Sequence, residues 1–287
     1  MTTHVIGSNG HIGKRLLPHL DTVVKYSRSD AKDTIQIDLS DLSRFDFSRF
    51  SAGDFLIILA AISSLDLCEQ NYAATYSVNV TGMRKLIDAA LNNGANVLFF
   101  SSDAVNGNTG KAVFDENSIV SPFGKYAEMK FEIEQCFRAN PNFKVFRLSY
   151  VFSIADKFTN HLLKSALSGK SFDAFSALYR NIVYIEDVVQ AVVQLRRSFS
   201  KWDNCIFNIS GGETLSRSQM AEIIKSEALS DLRINHVLPP SDFFETRVNI
   251  IATKSLYLSA LLMREPTLFR QAVGTEFDRH NRSEGVF

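Results

Sequence analysis

Val5-Ile6-Gly7-Ser8-Asn9-Gly10-His11-Ile12-Gly13-Lys14-Arg15-Leu16-Leu17 places the end of an apolar strand, a glycine-rich turn and the first turns of a helix in one short stretch. That order of elements makes a phosphate cradle. Glycines let backbone N–H groups approach a pyrophosphate, and the start of the helix adds a partial positive charge. The spacing is Gly-x-x-Gly-x-x-Gly rather than the commoner Gly-x-Gly-x-x-Gly, and a plain tight turn is the competing reading. The strand before it and the helix after it favour the cradle.

Outward from this stretch, strand and helix patterns alternate. Thr22–Tyr26 and Thr34–Ile37 read as a second and a third strand, the latter ending at Asp38-Leu39. The apolar run Asp54–Leu59 has the character of a central parallel strand buried on both faces. A long helix is expected over Cys68–Asn92, stopped by Gly94, and then a fifth strand at Asn96–Phe100 running into Ser101-Ser102-Asp103. Asp103–Val120 is polar and reads as a loop. Ser121 as N-cap with Pro122 at the first helical position predicts the next helix start. Met129, Ile133, Cys136 and Phe137 then form its core stripe, and Tyr126 and Lys130 lie four residues apart along one edge.

A sixth strand at Phe143–Leu148 follows, then a helix at about Lys157–Ser168. Asn181–Ile185 reads as a strand, Glu186–Arg197 as a helix and Cys205–Ile209 as a strand rejoining the sheet. Thr214-Leu215-Ser216 caps a further helix, and Pro239-Pro240 marks a break. Repeated strand–helix units predict an α/β fold with a Rossmann-type doubly wound parallel sheet. The division expected is a dinucleotide-binding lobe of residues 1–152, with 181–209 returning to it. Residues 153–180 and 210–287 then form a smaller, discontinuous substrate lobe.

Composition narrows the classes of function. The 287 residues are 45% hydrophobic and 22% charged, as suits a globular chain with a sizeable core. Lys plus Arg equals Asp plus Glu at 31 each, so no global field favours nucleic acid or an anionic membrane. The Met1-Thr2-Thr3-His4 start lacks a basic region and an apolar core of the signal-peptide kind, and no apolar run reaches the ~20 residues of a membrane span. A cytoplasmic location is therefore expected. Cys68, Cys136 and Cys205 read as buried free thiols. The histidines show no paired ligand spacing, so no metal site is expected.

The ordered set of motifs resembles the extended short-chain dehydrogenase/reductase family, in the nucleotide-sugar branch that includes dTDP-4-dehydrorhamnose reductase. It comprises Gly7-x-x-Gly10-x-x-Gly13, Asp38-Leu39, Leu59-Ala60-Ala61, Asn79-Val80, Phe100-Ser101-Ser102-Asp103 and Tyr126-x-x-x-Lys130. Further along come Arg147-Leu148-Ser149, Tyr184-Ile185-Glu186-Asp187-Val188 and Phe207-Asn208-Ile209-Ser210-Gly211-Gly212. The resemblance implies that Gly7, Asn9, Gly10, His11, Ile12 and Gly13 cradle the dinucleotide pyrophosphate. It places Asp38 and Leu39 by the adenine, and Ala60 and Ala61 against a ribose. Ser102 would bind the substrate oxygen, Tyr126 would exchange a proton with it, and Lys130 would hold the nicotinamide ribose and favour ionised Tyr126. Asp103 and Arg247 are further substrate-binding candidates, the latter as a phosphate contact or a surface charge. A homodimer formed through the helix after the fourth strand and the Tyr126-bearing helix is also implied, with Leu86, Ile87, Met129 and Ile133 as apolar candidates. Phe123-Gly124, Asn106-Gly107 and Phe152-Ser153 depart from the family pattern around the substrate pocket.

Within the family that the motifs resemble, Ser102-Asp103-Ala104, with Ala104 where dehydratases carry a second carboxylate and Asp103 where epimerases usually carry a small apolar residue, implies a reductase ahead of an epimerase and disfavours dehydration. The expected activity is reduction of a 4-keto nucleotide-linked sugar by NAD(P)H. An epimerase is the alternative, and a non-catalytic dinucleotide-binding regulatory protein the second alternative. The second strand ends at Tyr26-Ser27-Arg28, with no acidic residue there to reach ribose hydroxyls. Arg28 and Ser27, with Lys14 or Arg15, point to NADP(H) ahead of NAD(H); Asp30 nearby points the other way.

Overall fold

The computed structural model describes residues 1–29, 31–107 and 113–284. From the N-terminus the elements are β1 (Thr3–Ile6), α1 (His11–Leu16), β2 (Val23–Ser27), β3 (Ile35–Gln36) and β4 (Phe55–Ile58). Then come α2 (Leu65–Gln70), α3 (Tyr72–Tyr76), α4 (Met83–Asn92), β5 (Asn96–Ser102), α5 (Lys125–Phe137), β6 (Phe143–Leu148) and β7 (Tyr150–Phe152). The chain continues with α6 (Lys157–Leu167), β8 (Ser171–Phe175), β9 (Tyr179–Tyr184), α7 (Ile185–Ser198), β10 (Ile206–Ile209) and β11 (Glu213–Ser216). It closes with α8 (Arg217–Ala228), β12 (Arg233–Val237), β13 (Ile250–Ile251), α9 (Leu258–Leu262) and α10 (Phe269–Glu284).

The large sheet has seven parallel strands in the order β10-β6-β5-β4-β1-β2-β3. Its central strands are apolar without interruption because both faces are covered. Successive side chains point to opposite sides. Ile6, Leu56, Ile58, Val97 and Phe99 therefore pack with Met83, Leu86, Ile87, Met129 and Ile133 of α4 and α5. Val5, Phe55, Ile57, Leu98 and Phe100 meet Val188, Val192 and Leu195 of α7 on the other face. The crossover order reverses between β1 and β4, which opens a crevice at their carboxyl ends.

A small sheet pairs β9 with β7, β11 and β13, and β8 pairs with β12 beside it. The strand expected at Asn181–Ile185 thus belongs to the small sheet, and only Cys205–Ile209 supplies a strand, β10, to the large one. Phe152, Phe172, Ile182, Tyr184, Met220, Ile224, Phe269 and Phe277 form the core of this lobe.

Four local expectations are corrected. The single helix over Cys68–Asn92 is broken into α2, α3, one π-helical turn at Ser77–Gly82 and α4. Ser121-Pro122 does not start α5: the helix begins at Lys125, after Gly124 at φ +86°. Its first N–H is capped from elsewhere, because Glu69 of α2 accepts from Lys125 N at 2.8 Å. Cys136 faces solvent, while Cys68 is buried and Cys205 half-buried. The inward face of α5 instead carries Ala127, Met129, Lys130, Ile133, Glu134 and Phe137. Finally, Leu86, Ile87, Met129 and Ile133 are spent inside the protomer, each at most 1% exposed, so none is free to face a second copy.

Candidate active site

The glycine turn hangs from β1 and is pinned to the end of β2, where Tyr26 O accepts from Gly7 N, Ser8 N and Ser8 Oγ at 3.0–3.1 Å. Gly7 sits at φ +88°, and a Cβ there would lie 2.9 Å from Ala60 N. Only glycine lets the turn come this close to the loop after β4. Gly13 has a different reason: its missing Cβ leaves room for Ser8 O and Gly7 O, which would stand 2.5 and 2.7 Å away. Asn79, buried in the π-helical turn, clamps the loop after β4 by bonding both N and O of Ile62 at 2.9 Å.

These contacts enclose a cavity of about 470 Å³ at the β1/β4 reversal. Of the residues expected to hold a dinucleotide, Gly7, Asn9, Gly10, Arg28, Asp38, Leu39, Ala60 and Ala61 line it. His11, Ile12, Gly13, Tyr126 and Lys130 stand outside the lining. His11 Nε2 is 3.0 Å from Ser153 Oγ, and Ile12 packs between the cores of the two lobes. Ser29, Ile37, Ser40, Ile62 and Val78 also line the cavity and were not singled out from the sequence. The close-approach glycine and the serine and arginine groups at the end of β2 fit the adenosine half of a dinucleotide. Asp38 is occupied by Ser40, whose N and Oγ donate at 2.8 and 2.6 Å and hold the carboxyl below its usual range. Arg15 is engaged by Glu276 at 2.8 Å and Glu186 at 3.2 Å, which takes it away from the cavity. Asp30 lies outside the described residues.

Past the end of β5, α5 brings Tyr126 and Lys130 against the strand that carries Ser102. Lys130 is 4% exposed, and its Nζ donates to Phe100 O at 2.7 Å. It lies 4.5 Å from the Phe99 ring centroid and 5.9 Å from that of Tyr126. Burial lowers its pKa to about 7, against the opposing charge of Glu134. Burial also holds the Tyr126 phenol well above its usual 10, with Cys68 and Asp103 adding in the same direction. Ser102 caps a 3₁₀ turn at Asp103–Asn106, its Oγ accepting from Ala104 N at 3.2 Å. Its own O–H points at Asp103 Oδ1 over a long 3.4 Å. Asp103 is buried, with Oδ2 unpartnered among the described residues and its pKa raised by burial to about 7.

Arg247 is bonded to Asp66 at 2.6 Å and stacked over Phe243 at 4.7 Å. With Phe123, Phe244, Val248 and Asn249 it lines a separate cavity of about 190 Å³.

Residues 1–260 match the family model for the RmlD substrate binding domain. The chain belongs to that family. This places it among the extended short-chain dehydrogenase/reductases of the nucleotide-sugar branch, enzymes that reduce or epimerise such sugars. A similar curated protein is the dTDP-4-dehydrorhamnose reductase of Aggregatibacter actinomycetemcomitans, 24% identical over 242 residues that span 81% of each chain. Among solved structures, a UDP-N-acetylglucosamine 4-epimerase from Methanobrevibacter ruminantium M1 superposes with a TM-score of 0.83 at 18% identity, covering 98% of both chains. MoeE5, solved with UDP-glucuronic acid and NAD, superposes at 0.81 and 20% identity, covering 99% of this chain and 100% of its own. At these identities the two superpositions speak for the fold alone.

Proposed function

We propose that this protein is an NAD(P)-dependent oxidoreductase that reduces a 4-keto carbon of a nucleotide-linked sugar, with Tyr126 as proton donor. The observation that carries this reading is the approach of α5 to the carboxyl end of β5: Lys130 Nζ bonds Phe100 O, two residues before Ser102, and lies 5.9 Å from the Tyr126 ring. The curated reductase relative supports the reaction, and the fold shared with MoeE5, which is in complex with UDP-glucuronic acid and NAD, is compatible with that ligand pair.

A bound reduced dinucleotide supplies hydride to the carbonyl carbon. Ser102 has an O–H whose present acceptor is a distant one, so it is available to the substrate oxygen. Tyr126 is kept protonated by its surroundings and is placed to pass that proton as the oxygen gains charge. Lys130 offsets the charge then left on the phenol. Arg28, with Ser27 and Ser29, lines the end of the cavity where a 2′-phosphate would rest, which supports NADP(H) ahead of NAD(H).

The test is incubation with NADPH or NADH and a panel of nucleotide-linked 4-keto sugars, following absorbance loss and product identity. Oxidation of cofactor with a reduced sugar as product is expected. Dinucleotide binding without turnover of any sugar would replace this reading with that of a regulatory binder.

A further inference from the structure

On the hidden face of α5, one turn beyond Lys130, Glu134 is 0% exposed. Its carboxylate accepts from Ser101 Oγ at 2.5 Å, from Arg147 Nη2 at 2.5 Å and from Arg147 Nε at 3.1 Å. Ser101 immediately precedes Ser102 on β5, and Arg147 lies on β6, opposite Ser101 in the strand register. Arg147 is itself 3% exposed. A fully buried ion pair is a costly way to hold a helix on a sheet, and an apolar pair of similar volume is often as stable. What this pair supplies is directional. One carboxylate sets the register of the helix bearing Tyr126 and Lys130 against the strand end bearing Ser102.

We propose that Glu134 is a positioning residue for the reaction: by gripping Ser101 and Arg147 together, it fixes Lys130 and Tyr126 relative to Ser102 and holds a negative charge beside Lys130. The proposal rests on the functional reading above. The groups facing Lys130 are Glu134 and Tyr126 on its own helix, the Cys68 thiol on α2, and the Phe100 carbonyl with the Phe99 ring on β5. Burial raises the pKa of Cys68, so Glu134 is the anion that favours the ammonium near neutrality.

The experiment is a fluorescence titration of NADPH binding to the full chain across pH 6–9, for wild type, Glu134→Gln and Glu134→Asp. Lys130 is assigned to the ribose, so wild-type affinity should fall as pH rises through the Lys130 titration. Glu134→Gln should move that falling limb down by about one pH unit or more, the usual effect of one close charge. Glu134→Asp keeps the charge and withdraws the grip by one methylene. Its limb should stay in place while affinity drops at every pH. If Glu134→Gln does not fold, Glu134→Gln/Arg147→Met leaves no unpaired buried charge; it removes one charge of each sign and the grip with them, so its affinity should drop at every pH as that of Glu134→Asp does. A Glu134→Gln limb at the wild-type pH, or wild-type affinity across the pH range in the double variant, would overturn this proposal alone, leaving Glu134 a structural residue. No dinucleotide binding by the wild type would overturn the functional reading and this one with it.

Discussion

Tyr126 and Lys130 lie one helical turn apart, and burial drives them in opposite directions, the phenol towards its protonated form and the amine towards its neutral one. Tyr126→Phe keeps the packing of the ring and removes the hydroxyl alone. It should lower kcat by roughly 10²- to 10⁴-fold, the share of one acid–base group, with NADPH affinity nearly unchanged. Wild-type turnover in that variant, with chemistry rate-limiting, would reject the assignment. Lys130→Met should damage kcat and dinucleotide affinity together. Arg28→Ala should weaken NADPH binding selectively and leave NADH binding as it was; equal affinities in the wild type would remove the basis for the preference. These side chains were legible in the sequence because their spacing is local: four residues along a helix, three along a turn, the last residues of a strand. Glu134 with Arg147, and Asn79 with Ile62, were not, because each bond closes across a stretch whose fold must be known first. The departure at Asn106 also has a structural face: both its polar side-chain atoms are buried and unpartnered among the described residues.

Local patterns placed the strands of the large sheet, since an apolar run buried on two faces reads the same at any point in it; β7, β8, β11, β12 and β13 of the smaller sheets carry no such run and were not read from the sequence. Helix boundaries fared worse where the deciding partner came from elsewhere. Ser121 carries the right chemistry for a cap, yet the start of α5 is held by Glu69, and Gly107 instead packs so tightly on Ser121 that a Cβ would lie 1.6 Å from its O. The helical run after β4 likewise gives no sign of its interruption. There Gly82, inside the π-helical turn, passes so close to the end of the β3 loop that a Cβ would lie 1.7 Å from Leu39 O. Backbone cannot yield as a flexible side chain would, so Gly82→Ala must shift the turn or Leu39. The expected cost is about 1–3 kcal/mol or more, read as a Tm lower by about 2–4 °C per kcal/mol. Leu39 lines the cavity, so NADPH affinity should fall as well. A variant with wild-type Tm and affinity would show that the turn can relax without disturbing the site.

At the scale of the whole molecule, the lobes are joined by contacts that no motif announces. Glu276 of α10, 1% exposed, accepts from Arg15 of α1, from Tyr184 Oη at 2.9 Å and from Ile154 N at 3.1 Å. The C-terminal segment was opaque in the sequence because its meaning lies in a partner at the other end of the chain. Buried charge elsewhere shapes the pH dependence of stability, and His4 gives the clearest case. His4 joins three strands of the large sheet: Nδ1 is 3.0 Å from Tyr26 Oη on β2, and Nε2 is 3.4 Å from Asp54 Oδ2 just before β4. Burial holds its pKa below 6.5 despite Asp54. The unfolded chain then binds a proton to this imidazole more readily than the folded one. Its contribution is present above pH 6.5 and is lost as pH falls from there through the folded value. Asp54, also lowered, adds a loss only below 3.8. Asp103 is raised and so favours the folded state more at low pH over 3.8 to about 7, which opposes the histidine in the total curve. The difference between wild type and His4→Gln isolates the imidazole. Measured as Tm from pH 5 to 8, the stability gap between the two should be widest at and above pH 7 and shrink steadily below 6.5. A gap that stays constant over that range would mean that His4 titrates alike in the folded and unfolded chain.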